Sequence, residues 1–567
     1  MRQPTWTITT DIVVLFCGLA CFYGVVLIAR YWSGVAIPQA EIDRSPTALP
    51  LYSLYSFARI LIAYVLSLAF ALGYGWLAAH NKRLETPMLA ILDVLQSIPV
   101  LSFLPGVMLA LVALIPTRQL GLELGAVILI FTGQVWNMAF SFYSSLKSIP
   151  RELHEAAEIY RLSHIQRFFT LELPYGIIGL VWNSMVSVAG GWFFLMACEM
   201  FVLGNRDFRL PGLGSYLQTA ASAGDTAAIV WGLVAMIGMI VVLDQLVWRP
   251  VIAWSDKFKF EQVESIAVPR SPILEVLRRS QAVNLLRKRV LRPMSERVSL
   301  ALADRANCPR QEGTKSKFRN YTLIAGITVA LAAITLYASW RAISMLREID
   351  RGSLTLTLKS AMATFVRVNA ALLFASAWTI PAGVAIGFHP RIARIAQPLA
   401  QIAASVPATA LFPVLLLALA DLGGGLGIGS VALMLLGTQW YILFNVIAGA
   451  MAIPSDLREV ADVFKLSRGE QWRTVILPGI FPYLVTGLVT ASGGAWNASI
   501  IAEYFHIKGE TLSTIGLGAE ISHATDTGNF PLLLLATIIM AVMVLTVNRL
   551  IWRPLYHLAE TRFKLDI

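Results

Sequence analysis

The stretch EAAEIYRLSHIQRFFTLELP, residues 155–174, is a polar segment that lies between two long apolar runs. It recurs once, as EVADVFKLSRGEQWRTVILP at residues 459–478. In both copies the pattern predicts a short helix, a break and a second short helix that ends at a proline. An amphipathic helix of this kind can lie along a membrane surface and offer one face to a soluble partner. We call the two copies the first and second polar segments.

The rest of the chain is strongly apolar. Its 567 residues are 57% hydrophobic and 14% charged, with a mean hydropathy of +0.67, whereas soluble domains carry about 25% charged residues. An apolar run of about 20 residues is long enough to cross a bilayer as a helix. The sequence therefore predicts an all-α polytopic membrane protein. An outer-membrane barrel would instead show strands of ~10 residues with alternating polarity.

Twelve apolar runs are predicted to span the membrane, six in each half of the chain. They are residues 12–32, 57–79, 88–115, 121–146, 176–200 and 226–248, then 321–345, 363–388, 397–420, 426–450, 480–503 and 530–552. Prolines inside the third run of each half are expected to break the helix and to free backbone groups, which either line a cavity or belong to a packed kink. Cavity lining is favoured because both halves carry these prolines. These prolines are Pro99, Pro105, Pro407 and Pro413.

The two halves are internal repeats. Glu155 matches Glu459, and the same offset of 304 residues relates WRP at 248–250 to WRP at 552–554. Six spans is an even number, so both halves insert in one orientation, as two parallel six-helix repeats about an axis along the membrane normal. Lys and Arg in the loops place both termini and the polar segments on the cytoplasmic side.

The predicted domains are a first half (1–250), a basic cytoplasmic linker (251–320) and a second half (321–567). Residues 249–320 hold sixteen Lys and Arg against seven Asp and Glu. The linker is either an amphipathic helix on anionic lipid headgroups or an ordinary positive-inside loop. Neither interpretation needs nucleic acid, so membrane lipid is the expected partner of this region.

The polar segments resemble the cytoplasmic loop of binding-protein-dependent ABC importer permeases, where E-A-A-x-x-x-G is followed by nine residues and I-x-L-P. The matching residues are Glu155, Ala156, Ala157, Leu173 and Pro174 in the first copy and Glu459, Ala461, Leu477 and Pro478 in the second. SIPVLSFLP, SVPATALFP, AWNASIIAEY and the two GLG motifs resemble the nitrate/taurine/sulfonate-type subfamily. The resemblance implies a type I ABC importer permease-like fold, with two permease halves fused in one chain.

In that family the loop forms coupling helices, which dock on a cytoplasmic ATPase subunit. The resemblance therefore implies two copies of an ABC ATPase, with ATP-Mg bound on that partner and no cofactor, metal or catalytic residue on this chain. No Walker A motif, G-x-x-x-x-G-K-[ST], occurs in the sequence. The resemblance also allows for a substrate-binding protein, periplasmic or lipid-anchored, as a further partner. The implied location is the bacterial inner membrane, and the implied solute is a small anion such as nitrate, a sulfonate or bicarbonate.

The sequence departs from the family where Arg161 and Lys465 replace the glycine. Glycine takes a positive φ at little steric cost, so the turn is expected to form in another way. The basic side chain would face the cytoplasm and pair with an acidic ATPase residue or with lipid phosphate. Glu155 and Glu459 are expected at the start of their helices, where the helix dipole stabilises a carboxylate. Val460 replaces the first alanine, so the two surfaces need not be equivalent.

Candidate residues of the solute pathway are matched between the fifth spans. Glu199 and Glu503 are carboxylates at membrane depth, which indicates a gate or an ion pair, with Arg59 and Arg367 as possible partners. The alternative is an interfacial charge near the headgroups. Small residues stand beside an aromatic residue in both spans, and their neighbours either line the pathway or pack between helices. These neighbours are Trp192, Trp496 and Asn497.

A secondary transporter of the major-facilitator type is the alternative to an ABC permease, since it too has six plus six helices. It would carry a Gly…Asp-Arg…Gly-Arg-like motif after the second span, where this chain reads HNKRLETP at residues 80–87. Because that motif is missing and the polar segment is duplicated, the sequence favours the permease. The external segments 209–224 and 511–525, which contain the GLG motifs, are expected to lie side by side and to form the docking rim for a substrate-binding protein.

Overall fold

A computed structural model describes residues 41–258, 333 and 336–562, with gaps at 116, 204–205, 413–414, 416–424 and 508–509. The predicted span 12–32, most of 321–345, the linker beyond residue 258 and Pro413 lie outside the described residues. In the described part, eight helical segments are long and apolar enough to cross a membrane. They are Pro46–His80, Gln119–Lys147, His164–Glu199, Thr226–Ser255, Arg351–Phe388, Leu426–Ala452, Arg468–Ala502 and Phe530–Ala559.

The first half consists of helices and one short hairpin. In chain order they are α1 (Leu49–His80), α2 (Lys82–Ser97), α3 (Leu104–Leu114), α4 (Arg118–Lys147), α5 (Arg151–Ile159), α6 (His164–Arg167), α7 (Leu173–Glu199), β1 (Val202–Leu203), β2 (Arg206–Asp207), α8 (Leu213–Ser222), α9 (Thr226–Leu243) and α10 (Arg249–Ser255). Two π-helical turns, Phe168–Glu172 and Asp244–Trp248, continue directly into α7 and α10.

The second half repeats this order. Its elements are α11 (Arg351–Phe388), α12 (Pro390–Ser405), α13 (Leu426–Ala452), α14 (Ser455–Val463), α15 (Arg468–Gln471), α16 (Leu477–Ala502), β3 (Tyr504–Ile507), β4 (Glu510–Ser513), α17 (Leu517–Asp526), α18 (Phe530–Val547) and α19 (Arg553–Arg562). The π turns recur at Trp472–Ile476 and Asn548–Trp552. The prediction of an all-α polytopic protein with repeated halves is confirmed. The two antiparallel hairpins were not predicted, because each strand has only two or four residues.

Proline interrupts the third span in both halves. Between α2 and α3 the chain is extended at Ile98 and Pro99 and then forms a single 3₁₀ turn. Pro407 follows the end of α12 in the same way. The predicted break at Pro105 is wrong, because Pro105 lies in the first turn of α3. A proline there removes no helical hydrogen bond.

The halves pack by exchanging contacts between their third and sixth spans. α9 of the first half contacts α12, and α18 of the second half contacts α2. Within each half, α1 packs on α4 and α4 on α7, as α11 packs on α13 and α13 on α16. Trp192 and Trp496 lie in this core with 2% and 1% of their surface exposed, so both side chains are packed among the helices in this structure.

Candidate functional site

The two polar segments fold alike. Each begins with a nine-residue helix (α5 or α14), turns, and continues through a four-residue helix and a π turn into the fifth span. The helix α5 begins at Arg151, because Pro150 before it is extended (φ −57°, ψ 147°). Glu155 is therefore the fifth residue of α5, as Glu459 is of α14. The prediction that these glutamates stand at the helix start is wrong.

The turn after each helix is a Schellman motif. The Leu162 N–H donates to the Ala157 carbonyl at 3.0 Å, and the Leu466 N–H donates to the Ala461 carbonyl, also at 3.0 Å. This motif places the C′ residue in the left-handed region, which Arg161 occupies with φ 46° and Lys465 with φ 47°. Among the described residues they are the two non-glycine residues with positive φ.

The turn therefore forms with the conformation that glycine would adopt, and the prediction of a different turn is wrong. A residue with a side chain in this region is disfavoured by roughly 1–2 kcal/mol. Arg161 and Lys465 are both exposed. Both halves thus keep a basic side chain at a position where glycine would be less strained.

The side chains of the polar segments divide into a buried and an exposed face. Ala157 and Ala461 are buried, whereas Glu155, Arg161, Glu459 and Lys465 are exposed. Ala156 is half-buried, and Leu173, Pro174, Leu477 and Pro478 form the first turns of the fifth spans.

Each helix ends on two exposed apolar residues, which we call the tips. They are Ile159 (79% exposed) and Tyr160 (79%) in the first segment and Val463 (78%) and Phe464 (73%) in the second. They lie outside the membrane-spanning helices of the described part of the chain. Lipid therefore does not account for their exposure as it does for apolar residues on a span, and a pair of large exposed apolar residues is typical of a protein-binding surface.

A polar cluster joins the first segment to the membrane helices. The Glu172 carboxylate is buried and lies 2.9 Å from His80 Nε2 and 3.0 Å from Arg167 Nε. It also accepts a hydrogen bond from Trp76 Nε1 at 3.1 Å. Arg167 Nη2 donates to His154 Nδ1 on α5 at 2.6 Å. We call these five residues the base cluster; it connects α1, α5 and the start of α7.

The second half has no such cluster in its described residues. At the matching positions it carries Val384, Phe388, Gln471 and Ile476 in place of Trp76, His80, Arg167 and Glu172, and Arg458 in place of His154. Ile476 is buried and replaces the carboxylate with an apolar side chain. The base cluster was missed from the sequence because its members are spread over nearly a hundred residues and belong to no motif.

The predicted carboxylates of the fifth spans form buried ion pairs at the opposite end of the molecule. Glu199 Oε1 lies 2.7 Å from Arg59 Nη1 and accepts a hydrogen bond from Ser56 Oγ at 2.7 Å. Its other oxygen accepts from the Gly214 N–H at 2.7 Å. Arg59 also contacts Glu123. The carboxylate thus ties the GLG turn to α1.

The second half repeats this arrangement, and we call the two sites the outer clamps. Glu503 lies 2.9 Å from Arg367 Nη1 and accepts hydrogen bonds from Thr364 Oγ1 and the Gly518 N–H. The first glycine of each GLG motif gives the carboxylate room: a Cβ at Gly212 would lie 2.3 Å from Glu199 Oε1, and one at Gly516 would lie 2.2 Å from Glu503 Oε2. Both carboxylates are fully enclosed, which fits an ion pair better than direct contact with a solute.

A cavity of about 120 Å³ lies between the halves next to the outer clamps. Its walls come from the third span of the first half, the ends of α7 and α16, and the external segments. Pro105, Gln218 and Ser522 are among the lining residues. The two external segments therefore lie side by side, as predicted. Asn497 lies on α16 one turn before the cavity-lining Ile500 and Ile501 and is half-buried, and its Oδ1 has no hydrogen-bond partner among the described residues.

Comparison with known proteins identifies both halves. A family model described as "Binding-protein-dependent transport system inner membrane component" matches residues 71–247 and 379–553. The matched ranges include both polar segments and the fifth and sixth spans, and together they cover more than half of the chain. The major-facilitator alternative is not favoured.

Individual relatives agree with this assignment. The nitrate import permease protein NrtB of Leptolyngbya laminosa is 30% identical over 189 residues, which are 33% of this chain and 64% of that protein. The bicarbonate transport system permease protein CmpB of Synechococcus elongatus is 27% identical over 204 residues, 36% of this chain and 70% of that protein. The taurine transport system permease protein TauC of Escherichia coli is 27% identical over 167 residues, 29% and 56% respectively.

The aligned part thus spans less than two thirds of the nitrate permease. Because the family model matches twice, in the same order of elements, two permease repeats are fused in one polypeptide. This multi-pass membrane protein therefore belongs to the family of binding-protein-dependent transport system inner membrane components.

Proposed function

We propose that this chain forms the solute path of an ATP-driven importer and docks two copies of a cytoplasmic ABC ATPase subunit through residues 155–174 and 459–478. The observation that carries the proposal is the pair of tips. Two apolar, strongly exposed surfaces on matched helices outside the spans are suited to insert into a protein groove. ATP and Mg²⁺ would be bound by the ATPase subunits.

The solute is proposed to be a small anion, since the relatives are named for the import of nitrate, bicarbonate and taurine. A substrate-binding protein, periplasmic or lipid-anchored, would deliver it to the external segments 209–224 and 511–525. The protein would lie in the bacterial inner membrane with both termini in the cytoplasm. The halves are proposed to extend over 1–250 and 321–567, joined by the basic linker 251–320.

Replacing the tips tests the docking. The variant combines Ile159→Ser, Tyr160→Ser, Val463→Ser and Phe464→Ser, and the readout is co-purification of the ATPase encoded with this chain. Loss of a buried aromatic anchor typically costs 2 kcal/mol or more at an interface, so each site should bind roughly 30-fold more weakly. Ile515→Ser is the matched control, because Ile515 is 63% exposed on the external side. Undiminished co-purification in the tip variant would refute docking at these segments.

The exposed glutamates give a second test. Glu155→Lys combined with Glu459→Lys reverses one charge on each docking face, and losing a desolvated charged contact costs about 2–5 kcal/mol. We expect the double variant to insert normally but to lose ATP-dependent transport. Wild-type transport and ATPase binding in this variant would show that the two glutamates make no contact needed for docking.

A further inference from the structure

Tyr441 on α13 lies between the two fifth spans. Its ring faces α16 of its own half, where a Cβ at Gly494 would lie 3.5 Å from Tyr441 Cε2. Its hydroxyl reaches α7 of the other half, where a Cβ at Gly190 would lie 3.8 Å from that oxygen. Gly190 and Gly494 are matched positions of the repeat, so one side chain closes the space between two equivalent points.

The closure is supplied by the second half alone. The residue that matches Tyr441 in the first half is Asn137, at the offset of 304. Among the described residues the Tyr441 hydroxyl has no hydrogen-bond partner. A polar group with no partner at membrane depth is expected where the protein lines a water-filled path.

The space on the external side of Tyr441 is the cavity between the halves. Ala197 on α7 and Ile501 on α16 both line it, seven residues beyond Gly190 and Gly494. At 1.5 Å per residue this is about 10 Å along the helices. The same helix faces therefore lead from Tyr441 to the cavity.

The opposite side of Tyr441 is open. Val186 and Thr490 lie one turn toward the polar segments, on the helix faces that carry Gly190 and Gly494, and both are exposed. One turn further, Trp182 and Thr486 are exposed as well. The hydroxyls of Thr486 and Thr490 donate to the carbonyls of Pro482 and Thr486 on the same helix, at 3.0 and 2.9 Å. Their oxygens can still accept hydrogen bonds from water or a solute on this exposed face.

We propose that Tyr441 is the gate of the solute path, separating the cavity from a groove that opens toward the polar segments. The proposal rests on the proposed function only in assuming that the solute passes between the halves. It assigns the gate to one residue of the second half, with no equivalent in the first.

The residues that line the cavity and the groove also indicate whether the path attracts charged solutes. No Lys, Arg or His lines the cavity within the described part of the chain. Its polar lining is Gln218, Tyr504, Ser522, Thr525 and Asp526, and the Tyr504 hydroxyl donates a hydrogen bond to the Asp526 carboxylate. On the groove side of Tyr441, α16 exposes Thr486 and Thr490, and α7 exposes Trp182 and Val186. The described lining therefore offers hydrogen bonds and one carboxylate but no positive charge, so it does not attract an anion by charge.

Thiol labelling in membrane vesicles tests the gate without knowledge of the solute. The native cysteines are replaced, and Thr490→Cys or Ala197→Cys is introduced as a reporter in the groove or the cavity. Sealed inside-out vesicles without ATP are treated with membrane-impermeant anionic or cationic methanethiosulfonate reagents. Thr490→Cys should react and Ala197→Cys should react slowly. Adding Tyr441→Ala should accelerate the reaction of Ala197→Cys by roughly tenfold or more, equivalent to about 1.4 kcal/mol.

Two controls separate the gate from a general loosening of the helices. Tyr441→Phe keeps the ring and should keep Ala197→Cys protected, and Asn137→Ala alters the matching residue and should have no effect. The anionic reagent should react no faster than the cationic one, because the described lining carries a carboxylate and no positive charge.

An unchanged rate in Tyr441→Ala, or an unreactive Thr490→Cys, would overturn the gate. A strong preference for the anionic reagent would overturn the inference that the path has no positive charge. Because labelling needs no ATPase, undiminished ATPase co-purification in the tip variant would be a separate failure, of the proposed function alone.

Discussion

The ends of the two halves that carry the polar segments have the same backbone and opposite chemistry. In the first half the buried Glu172 carboxylate is held by His80, Arg167 and Trp76. In the second half Ile476 is buried at the matching position. The helices, turns and π turns nevertheless coincide. The comparison shows that this backbone is compatible with either a charged network or apolar packing, whereas the outer clamps keep one chemistry in both halves.

The largest effect is expected from giving the first half the residue of the second. Glu172→Ile alone leaves the Arg167 guanidinium without its carboxylate, and breaking a buried ion pair costs about 3–5 kcal/mol. Adding Trp76→Val, His80→Phe and Arg167→Gln gives these four positions their second-half residues and keeps His154. A full apolar replacement is often nearly neutral.

The readout is the midpoint of thermal unfolding in detergent. Ile476→Val in the second half is the control, and it should destabilise the protein by only about 0.5–1.5 kcal/mol. A fourfold variant as unstable as Glu172→Ile would show that the two ends are not interchangeable.

The outer clamps should respond equally in the two halves. In Gly212→Ala and in Gly516→Ala the new methyl would overlap the buried carboxylate, so the clamp must shift. Such overpacking typically costs about 1–3 kcal/mol, again measured by thermal unfolding. Gly238→Ala is the control, because a Cβ there meets nothing within 4 Å. A large loss of stability in one variant and none in the other would show that the two clamps are not equivalent.

The turns of the polar segments should be stabilised by restoring glycine. Arg161→Gly and Lys465→Gly remove a side chain from the left-handed region, a gain of about 1 kcal/mol. The expected result is slower hydrogen exchange at the Leu162 and Leu466 amides, which close the two Schellman motifs. Arg161→Lys should leave the exchange unchanged. Faster exchange in the glycine variants would mean that the basic side chains stabilise the turns.

The smallest effect is a pH dependence confined to the first half. Burial and the neighbouring Arg167 guanidinium lower the pKa of His154, and His80 lowers it further. The Glu172 and Glu158 carboxylates act in the opposite direction, but the net pKa is lowered. Because the folded form binds the proton less well than the unfolded chain, the stabilisation is present above about pH 6.5 and is lost as the pH falls below it.

Hydrogen exchange of α5, corrected for intrinsic rates, should rise in mild acid while that of α14 does not. In His154→Ala the difference should vanish. An equal response of α14 would place the titrating group elsewhere.

Features that follow from local pattern could be predicted from the sequence. The repeat, the spans and the break in each polar segment all come from periodicity and spacing. The pairing of Glu199 with Arg59 could also be anticipated, because a charge in an apolar run must find a partner. The start of α5 was misplaced because the matched motif begins at Glu155, whereas the helix begins after Pro150.

Features that depend on packing could not be predicted. The base cluster needs α1, α5 and α7 to meet, and no spacing in the sequence encodes that meeting. The same holds for Tyr441, which contacts a glycine of its own half and approaches one of the other half. The φ of Arg161 was missed because strain at one residue is tolerated when the surrounding hydrogen bonds fix the turn.

The fusion of two unlike halves in one chain also changes what a mutation means. In a permease assembled from two copies of one polypeptide, a single codon change alters both docking loops at once. Here a substitution at Glu155 leaves Glu459 intact, and one at Tyr441 has no counterpart to alter. Each point mutant is thus the equivalent of a mixed dimer with one normal and one altered subunit. The number of intact polar segments can thus be set to two, one or none within a homogeneous population. A partial loss of transport in the single variants and a complete loss in the double variant would show how many segments the transport cycle needs.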